Sequence, residues 1–148
     1  MKIAIAADHG GYELKEKIKE HLESIYANNK DVEILDIGTD SDASVDYPTY
    51  GKKCAEKVAS GQAQKGIVIC GTGIGISIAA NKVKGIRCAL CTNEKMAEMS
   101  RKHNDANMLA LGGRITDQDT ALRIVDVWLK TNFEGGRHKR RVDMLDCI

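Results

Sequence analysis

Five short apolar runs recur along the chain, and each is followed by a stretch with helical spacing. The runs are Ile3 to Ala7, Val32 to Ile37, Gly66 to Cys70, Ile86 to Cys91 and Ala106 to Leu111. Between the first two, Leu14, Ile18, Leu22 and Ile25 recur at the period of one helix face. Pro48 opens the next helix, since its missing N–H costs nothing in a first turn. Ile74 to Asn81, Glu94 to Lys102, and the series Ala121, Leu122, Val125, Trp128, Leu129 read as further helices. After Gly135-Gly136, a basic segment together with apolar Val142, Met144 and Leu145 suggests a terminal helix. Strands that are apolar throughout and alternate with helices predict a parallel sheet covered on both faces. The expected fold is one doubly wound α/β domain over residues 1–148. It is a Rossmann-like three-layer sandwich on a five-stranded parallel sheet, with a helical extension from about residue 133. A chain of 148 residues buries roughly 70% of its unfolded surface and needs no staple.

Charge narrows the partners. Lysines and arginines total 22 against 21 acids, a net charge of +1, so no bulk attraction to nucleic acid or an anionic membrane is implied. No stretch approaches the roughly 20 apolar residues of a membrane span. The N-terminal MKIAIAADHGG soon turns charged and reads as a first strand, not a signal peptide. The five cysteines are an odd number, and Cys70, Cys88 and Cys91 fall in apolar runs, which predicts reduced thiols in a cytoplasmic protein. Cys88 and Cys91 have the spacing of a chelating pair. Three apart on a strand, however, they point to opposite faces and cannot share one metal.

In doubly wound sheets, ligands bind at the carboxyl ends of the strands. The loops there are Asp8-His9-Gly10-Gly11, Gly38 to Tyr47, Gly71 to Gly75, Thr92-Asn93 and Gly112-Gly113-Arg114. Two polar clusters belong at the opposite edge: Arg101-Lys102-His103-Asn104-Asp105 before the last strand, and the basic run after Gly136. A strand of five or six residues spans about 17–20 Å, so neither should reach Cys70 in its own subunit. They are either solvated surface or the completion of a neighbouring subunit's site.

The run Cys70-Gly71-Thr72-Gly73-Ile74-Gly75 leaves several chemistries open. A dinucleotide fingerprint fails because position 76 is Ile, and there is no Gly-Lys-Ser/Thr of a nucleotide-binding P-loop. What remains is a strand-to-helix turn whose free N–H groups face an anion, or a tight turn with glycines for backbone fit. Cys70 is either a small core residue or a thiol placed where a helix N-terminus favours a thiolate. His9 and His103 fit structural or chemical roles equally, and His21 reads as helix surface. Arg137 and Arg141, four apart, share one side of a helix and can clasp one phosphate. A nucleotide-binding regulatory domain and a nucleic-acid binder using Arg137 to Arg141 are the rivals from other classes.

Taken together, the motifs are more specific. Asp8-His9-Gly10-Gly11, Asp46-Tyr47-Pro48, Cys70-Gly71-Thr72-Gly73, Ala79-Ala80-Asn81-Lys82, Arg101 to Asn107, and Gly135-Gly136-Arg137-His138 with Arg141 occur in this order. Over essentially its whole length the chain resembles the ribose-5-phosphate isomerase B family, which also includes allose- and galactose-6-phosphate isomerases. The resemblance implies interconversion of an aldose phosphate and its ketose without a metal or organic cofactor. It also implies a homodimer, or a dimer of dimers, whose sites are shared between subunits, with the extension from about residue 133 against the partner. One branch of the family lacks the cysteine and carries a glutamate in the glycine loop. Here Cys70 is present and the aligned position is Ile76, which places the chain in the cysteine-base branch. By the same resemblance Cys70 is the carbon base. Gly71, Gly73, Ile74 and Gly75 line an oxyanion hole with Thr72 assisting. Asp8 handles the sugar hydroxyl, and His103 of the partner subunit opens the ring. Tyr47 and Asn104 hold the sugar, and His9, Arg114, Arg137 and Arg141 hold the phosphate. The expected substrate is D-ribose 5-phosphate, with allose or galactose 6-phosphate as the alternative. The chain departs from the family in extra length near Ala27-Asn28-Asn29-Lys30, at the amino edge.

Overall fold

A computed structural model describes all 148 residues. Five parallel strands, β1 (Lys2–Ala7), β2 (Glu33–Gly38), β3 (Lys65–Cys70), β4 (Cys88–Leu90) and β5 (Met108–Gly112), form one sheet in the order β2-β1-β3-β5-β4. The helices are α1 (Tyr12–Ile25), α2 (Tyr47–Ala59), α3 (Ile74–Asn81), α4 (Glu94–Asn104), α5 (Gln118–Lys130) and α6 (Arg137–Asp146). The expected doubly wound sheet is present, and none of the helices is long and apolar enough to cross a membrane.

Alternation along each strand divides the core in two. Ile3, Ile5, Ile67, Ile69, Leu109 and Leu111 point to one face and pack on α1, α4 and α5. Ala4, Ala6, Val68, Cys70, Met108 and Ala110 point to the other and pack on α2 and α3. The large side chains lie on the face with three helices and the small ones beneath α2, so both layers fill at short range. Cys91 belongs to the first cluster, whereas Cys88 packs against the second, so the two do sit on opposite faces. Because α1 follows β1 on one face and α3 follows β3 on the other, a crevice opens between the carboxyl ends of these adjacent strands.

Two strands start two residues later than the sequence expectation. β4 is shorter than Ile86 to Cys91, because Asn81 bonds the Cys88 backbone at both N–H (2.8 Å) and carbonyl (2.9 Å). β5 begins at Met108, not Ala106, because the Ala106 N–H closes the end of α4 on the Ser100 carbonyl. The basic run after Gly136 opens α6, as expected, which places Arg137 and Arg141 on one helix.

Among the buried charged side chains, only one is fully closed off from solvent. Lys15 is fully buried, and its Nζ donates to both Asp36 carboxylate oxygens at 2.7 Å. Lys19 adds a third bond at 2.7 Å, and Asp36 also accepts the Gly38 N–H at 2.9 Å, where the loop towards α2 begins. Burial opposes charge on Asp36, but the bonds from Lys15 and Lys19 outweigh it and hold the carboxyl below its ordinary 3.8. A depressed folded value means that the stabilisation is present above 3.8 and lost as pH falls through the folded value. Asp36→Asn leaves Lys15 and Lys19 with Glu16 Oε1 alone, at 3.2 and 3.4 Å, as their anionic partner, and should cost roughly 2–4 kcal/mol at pH 7. Lys15→Met, which removes the buried charge and leaves Asp36 with Lys19, should cost less. Urea denaturation of both variants at pH 7 measures the order, and the Asp36→Asn deficit should shrink on acidification.

Candidate active site

The crevice floor is made where the loops after β1, β3 and β5 converge. Gly113 N–H donates to the Cys70 carbonyl at 2.8 Å, and Arg114 N–H to the Gly71 carbonyl at 2.9 Å. Asp8, buried, accepts the Gly11 N–H on Oδ1 at 3.1 Å, which turns the first loop into α1. Gly73 adopts φ +80°, and a Cβ there would lie 2.8 Å from the Leu111 backbone. Glycine at this position is demanded by a left-handed turn and a close approach, quite apart from any ligand.

Cys70 differs from the other core thiols in what its sulfur does. Its Sγ accepts the Gly73 N–H at 3.2 Å, immediately before the N-terminus of α3. The Cys54 and Cys91 thiols instead point their hydrogens at the Ile67 and Ala89 carbonyls, at 3.9 and 3.8 Å. Burial pushes Cys54 up to about 12 and Cys91 up to about 11, and it raises Cys88 as well. A donated N–H and a helix N-terminus both favour negative charge on sulfur, and only Cys70 has both. Thr72 Oγ1 accepts the Ile74 N–H at 3.2 Å, while the N–H groups of Gly71, Thr72 and Gly75 make no hydrogen bond within the chain. The loop therefore holds an accepting sulfur beside free donors.

Side chains stand around this floor. The Tyr47 ring lies 2.6 Å from where a Cβ on Gly75 would be, so Tyr47 covers the loop only because residue 75 is glycine. Arg114 Nη1 lies 3.4 Å from the corresponding point on Gly71. His9 Nδ1 accepts the Val45 N–H at 3.1 Å, which leaves its Nε2 as the donor. His9 and Arg114 line one cleft of about 650 Å³ between the starts of α1 and α5. Cys70 is not part of that cleft's wall, so the anion-binding side chains and the sulfur occupy neighbouring compartments. Ile74 is exposed at the start of α3, whereas Ile76 is fully buried beneath α2, away from the crevice.

His103, Asn104, Arg137 and Arg141 are not brought here. They lie at the amino edge, on the end of α4 and the start of α6, as the sheet geometry predicts. His103 and His138 stack with ring centroids 4.2 Å apart and planes 13° apart, and Glu134 Oε1 lies 3.8 Å from His103 Nε2. Desolvation and the neighbouring His103 and Arg137 lower the His138 value from its ordinary 6.5, while Glu134 opposes this. Ligand atoms of His103, Glu134 and His138 fall within 4.8 Å of one another. In near-parallel rings, however, the lone pairs run in separate planes and do not converge on one ion. The arrangement presents two imidazoles beside two exposed arginines, which suits an anion arriving from outside.

Sequence reasoning missed the Lys15–Asp36 pair and Arg87. A lysine beside Leu14 on the apolar stripe of α1, facing an acid inside β2, was the available signal for the first. Arg87, before β4, looks like any surface cation in sequence, yet it makes five side-chain hydrogen bonds.

Comparison with known proteins agrees with this geometry. The family model described as Ribose/Galactose Isomerase matches residues 3–145. Ribose-5-phosphate isomerase B of Escherichia coli is 47% identical over 99% of this chain and 95% of its own length. A solved ribose-5-phosphate isomerase B from Clostridium thermocellum superposes with a TM-score of 0.93 at 57% identity, covering 99% of this chain and 95% of that one. The Mycoplasma genitalium enzyme, solved with bound ribulose 5-phosphate, superposes with a TM-score of 0.90 at 44% identity, covering 99% and 94%. A match over nearly the whole chain, in sequence and in structure, shows that this protein belongs to the ribose/galactose isomerase family.

Proposed function

We propose that the protein interconverts D-ribose 5-phosphate and D-ribulose 5-phosphate, at a site shared by two subunits. The observation that carries this reading is the Cys70 sulfur accepting a backbone N–H at a helix N-terminus, beside unbonded N–H groups. The relative with bound ribulose 5-phosphate supports the choice of sugar.

The reaction needs ring opening, a carbon base, a stabiliser for the oxyanion and an anchor. His103 of the partner subunit gives a proton to the ring oxygen while Asp8 takes one from the anomeric hydroxyl, and the aldehyde forms. Cys70 thiolate then removes the C2 proton, and the electron pair moves through C1 onto the carbonyl oxygen. Within the Gly71 to Gly75 loop the free N–H groups of Gly71, Thr72 and Gly75 receive that negative charge, with the Thr72 hydroxyl assisting. Preorganised donors of this kind are worth about 3–4 kcal/mol each in acyl-transfer sites. A proton moves between the two oxygens, Cys70 returns its proton to C1, and the ketose results. Tyr47 and the partner subunit's Asn104 hold the sugar. His9 and Arg114 bind the phosphate with Arg137 and Arg141 of the partner subunit.

The partner is required because the acid and two of the arginines sit at the amino edge and the sulfur sits at the carboxyl edge. Exposed Ile74 and Ile78 on α3, with Met144 and Leu145 on α6, offer apolar surface for the contact. The α6 extension would then lie against the second subunit.

Cys70→Ala should remove solvent deuterium uptake at the sugar carbon and lower kcat by at least about a hundredfold. Normal uptake would show that another base acts. Equal turnover of ribose, allose and galactose phosphates in a parallel panel would remove the pentose assignment. Mixing inactive Cys70→Ala with inactive His103→Ala chains, with subunit exchange verified by native mass spectrometry, should restore activity. Each mixed dimer then holds one complete site. Continued inactivity would mean that the sites are not shared.

A further inference from the structure

Arg87 stands in the segment between α3 and β4, and its guanidinium serves two other elements. Its Nε donates to the carbonyls of Asn104 and Asp105, both at 3.1 Å, and Nη2 donates to Asp105 at 3.0 Å. Nη1 donates to both Asp146 carboxylate oxygens, at 2.7 and 2.9 Å. The Arg87 backbone N–H is fixed on Asn107 Oδ1 at 2.8 Å, so the side chain starts from a set position. The first set of bonds closes the C-terminus of α4, where carbonyls lack intrahelical donors and a cation is favoured. The second fastens the far end of α6, about 14 Å along the helix from Arg137. At its start α6 is held by the stack of His138 on His103, and beyond that little else holds it. Val142 is its one buried residue, and Arg87–Asp146 is the one ion pair between this helix and the rest of the chain.

Arg87 therefore joins the turn that carries His103 and Asn104 to the helix that carries Arg137 and Arg141. It makes no hydrogen bond to the Cys70 loop of its own chain. Resting on the shared-site reading above, we propose that Arg87 is a positioning residue for the half-site that one subunit lends to its partner. A lysine cannot replace it, because the role needs a planar fork reaching two elements at once.

The test separates this role from general support of the fold. Arg87→Met and Arg87→Lys should each lower kcat/KM for ribose 5-phosphate by on the order of tenfold, mainly through KM, because the phosphate arginines are displaced. Asp146→Asn, a change at the exposed chain end, should act in the same direction with a smaller effect and an unchanged melting temperature. The decisive measurement mixes Arg87→Met chains with inactive Cys70→Ala chains. In the mixed dimer the Arg87→Met chain supplies Cys70, and the Cys70→Ala chain supplies an undisturbed His103, Arg137 and Arg141. That one site should show the wild-type KM. A mixed dimer as impaired as Arg87→Met alone, or an Arg87→Met protein with unchanged kcat/KM, overturns the proposal. The Cys70→Ala with His103→Ala mixture is the control. If it recovers and the Arg87→Met mixture does not, only the role of Arg87 fails. If it stays inactive, the shared site and this role fail together.

Discussion

Two backbone hydrogen bonds, Gly113 to Cys70 and Arg114 to Gly71, decide how near the loops after β3 and β5 come to each other. Such an approach is open only to glycine. A Cβ on Gly112 would lie 2.6 Å from the Thr72 carbonyl oxygen, and one on Gly113 would lie 2.7 Å from that of Gly10. Because the loops are this close, Cys70 ends its strand beside the N-terminus of α3 with its sulfur turned onto the Gly73 N–H. The same closeness brings Arg114 over Gly71 and Tyr47 over Gly75. The chemistry of the crevice thus follows from main-chain packing, and its side chains are placed second.

The charges divide along the same axis. At the carboxyl edge the Cys70 loop offers N–H groups and one sulfur, which suit a charge that exists only during reaction, and His9 and Arg114 stand in the cleft beside it. The amino edge offers the arginines of α6 and the stacked imidazoles, which suit the permanent charge of a phosphate. A single subunit holds these two anion preferences a sheet's depth apart. This explains why the glycine-rich turn resembles a phosphate cradle in sequence without being the phosphate's main anchor in the proposed mechanism.

Much of this was legible in the residues. The five apolar runs carry the strand count, and the position of each loop relative to its strand assigns it to an edge. The separation of His103 and Arg137 from Cys70 needed nothing more. The boundaries of β4 and β5 were not legible, because Asn81 reaches Cys88 across seven positions and the Ala106 N–H closes α4 on Ser100 behind a left-handed residue that is Asp105 and not glycine. Lys15 illustrates the same limit. Hydropathy alone places a lysine at the surface, and the carboxylate of Asp36, 21 positions away, makes its burial tolerable together with Glu16 at 3.2 Å. Residue roles were legible only through the family motifs, since a histidine beside a glycine has no intrinsic duty.

The close-packed floor has a mechanical consequence. Loops pinned to one another through glycine backbones have no joint about which to swing. The crevice between β1 and β3 therefore behaves as a fixed anvil. Whatever excludes water during turnover must stand upon that anvil or be pressed against it from outside. Within this chain the Tyr47 ring and the Arg114 side chain stand on it, both exposed and both resting on glycine.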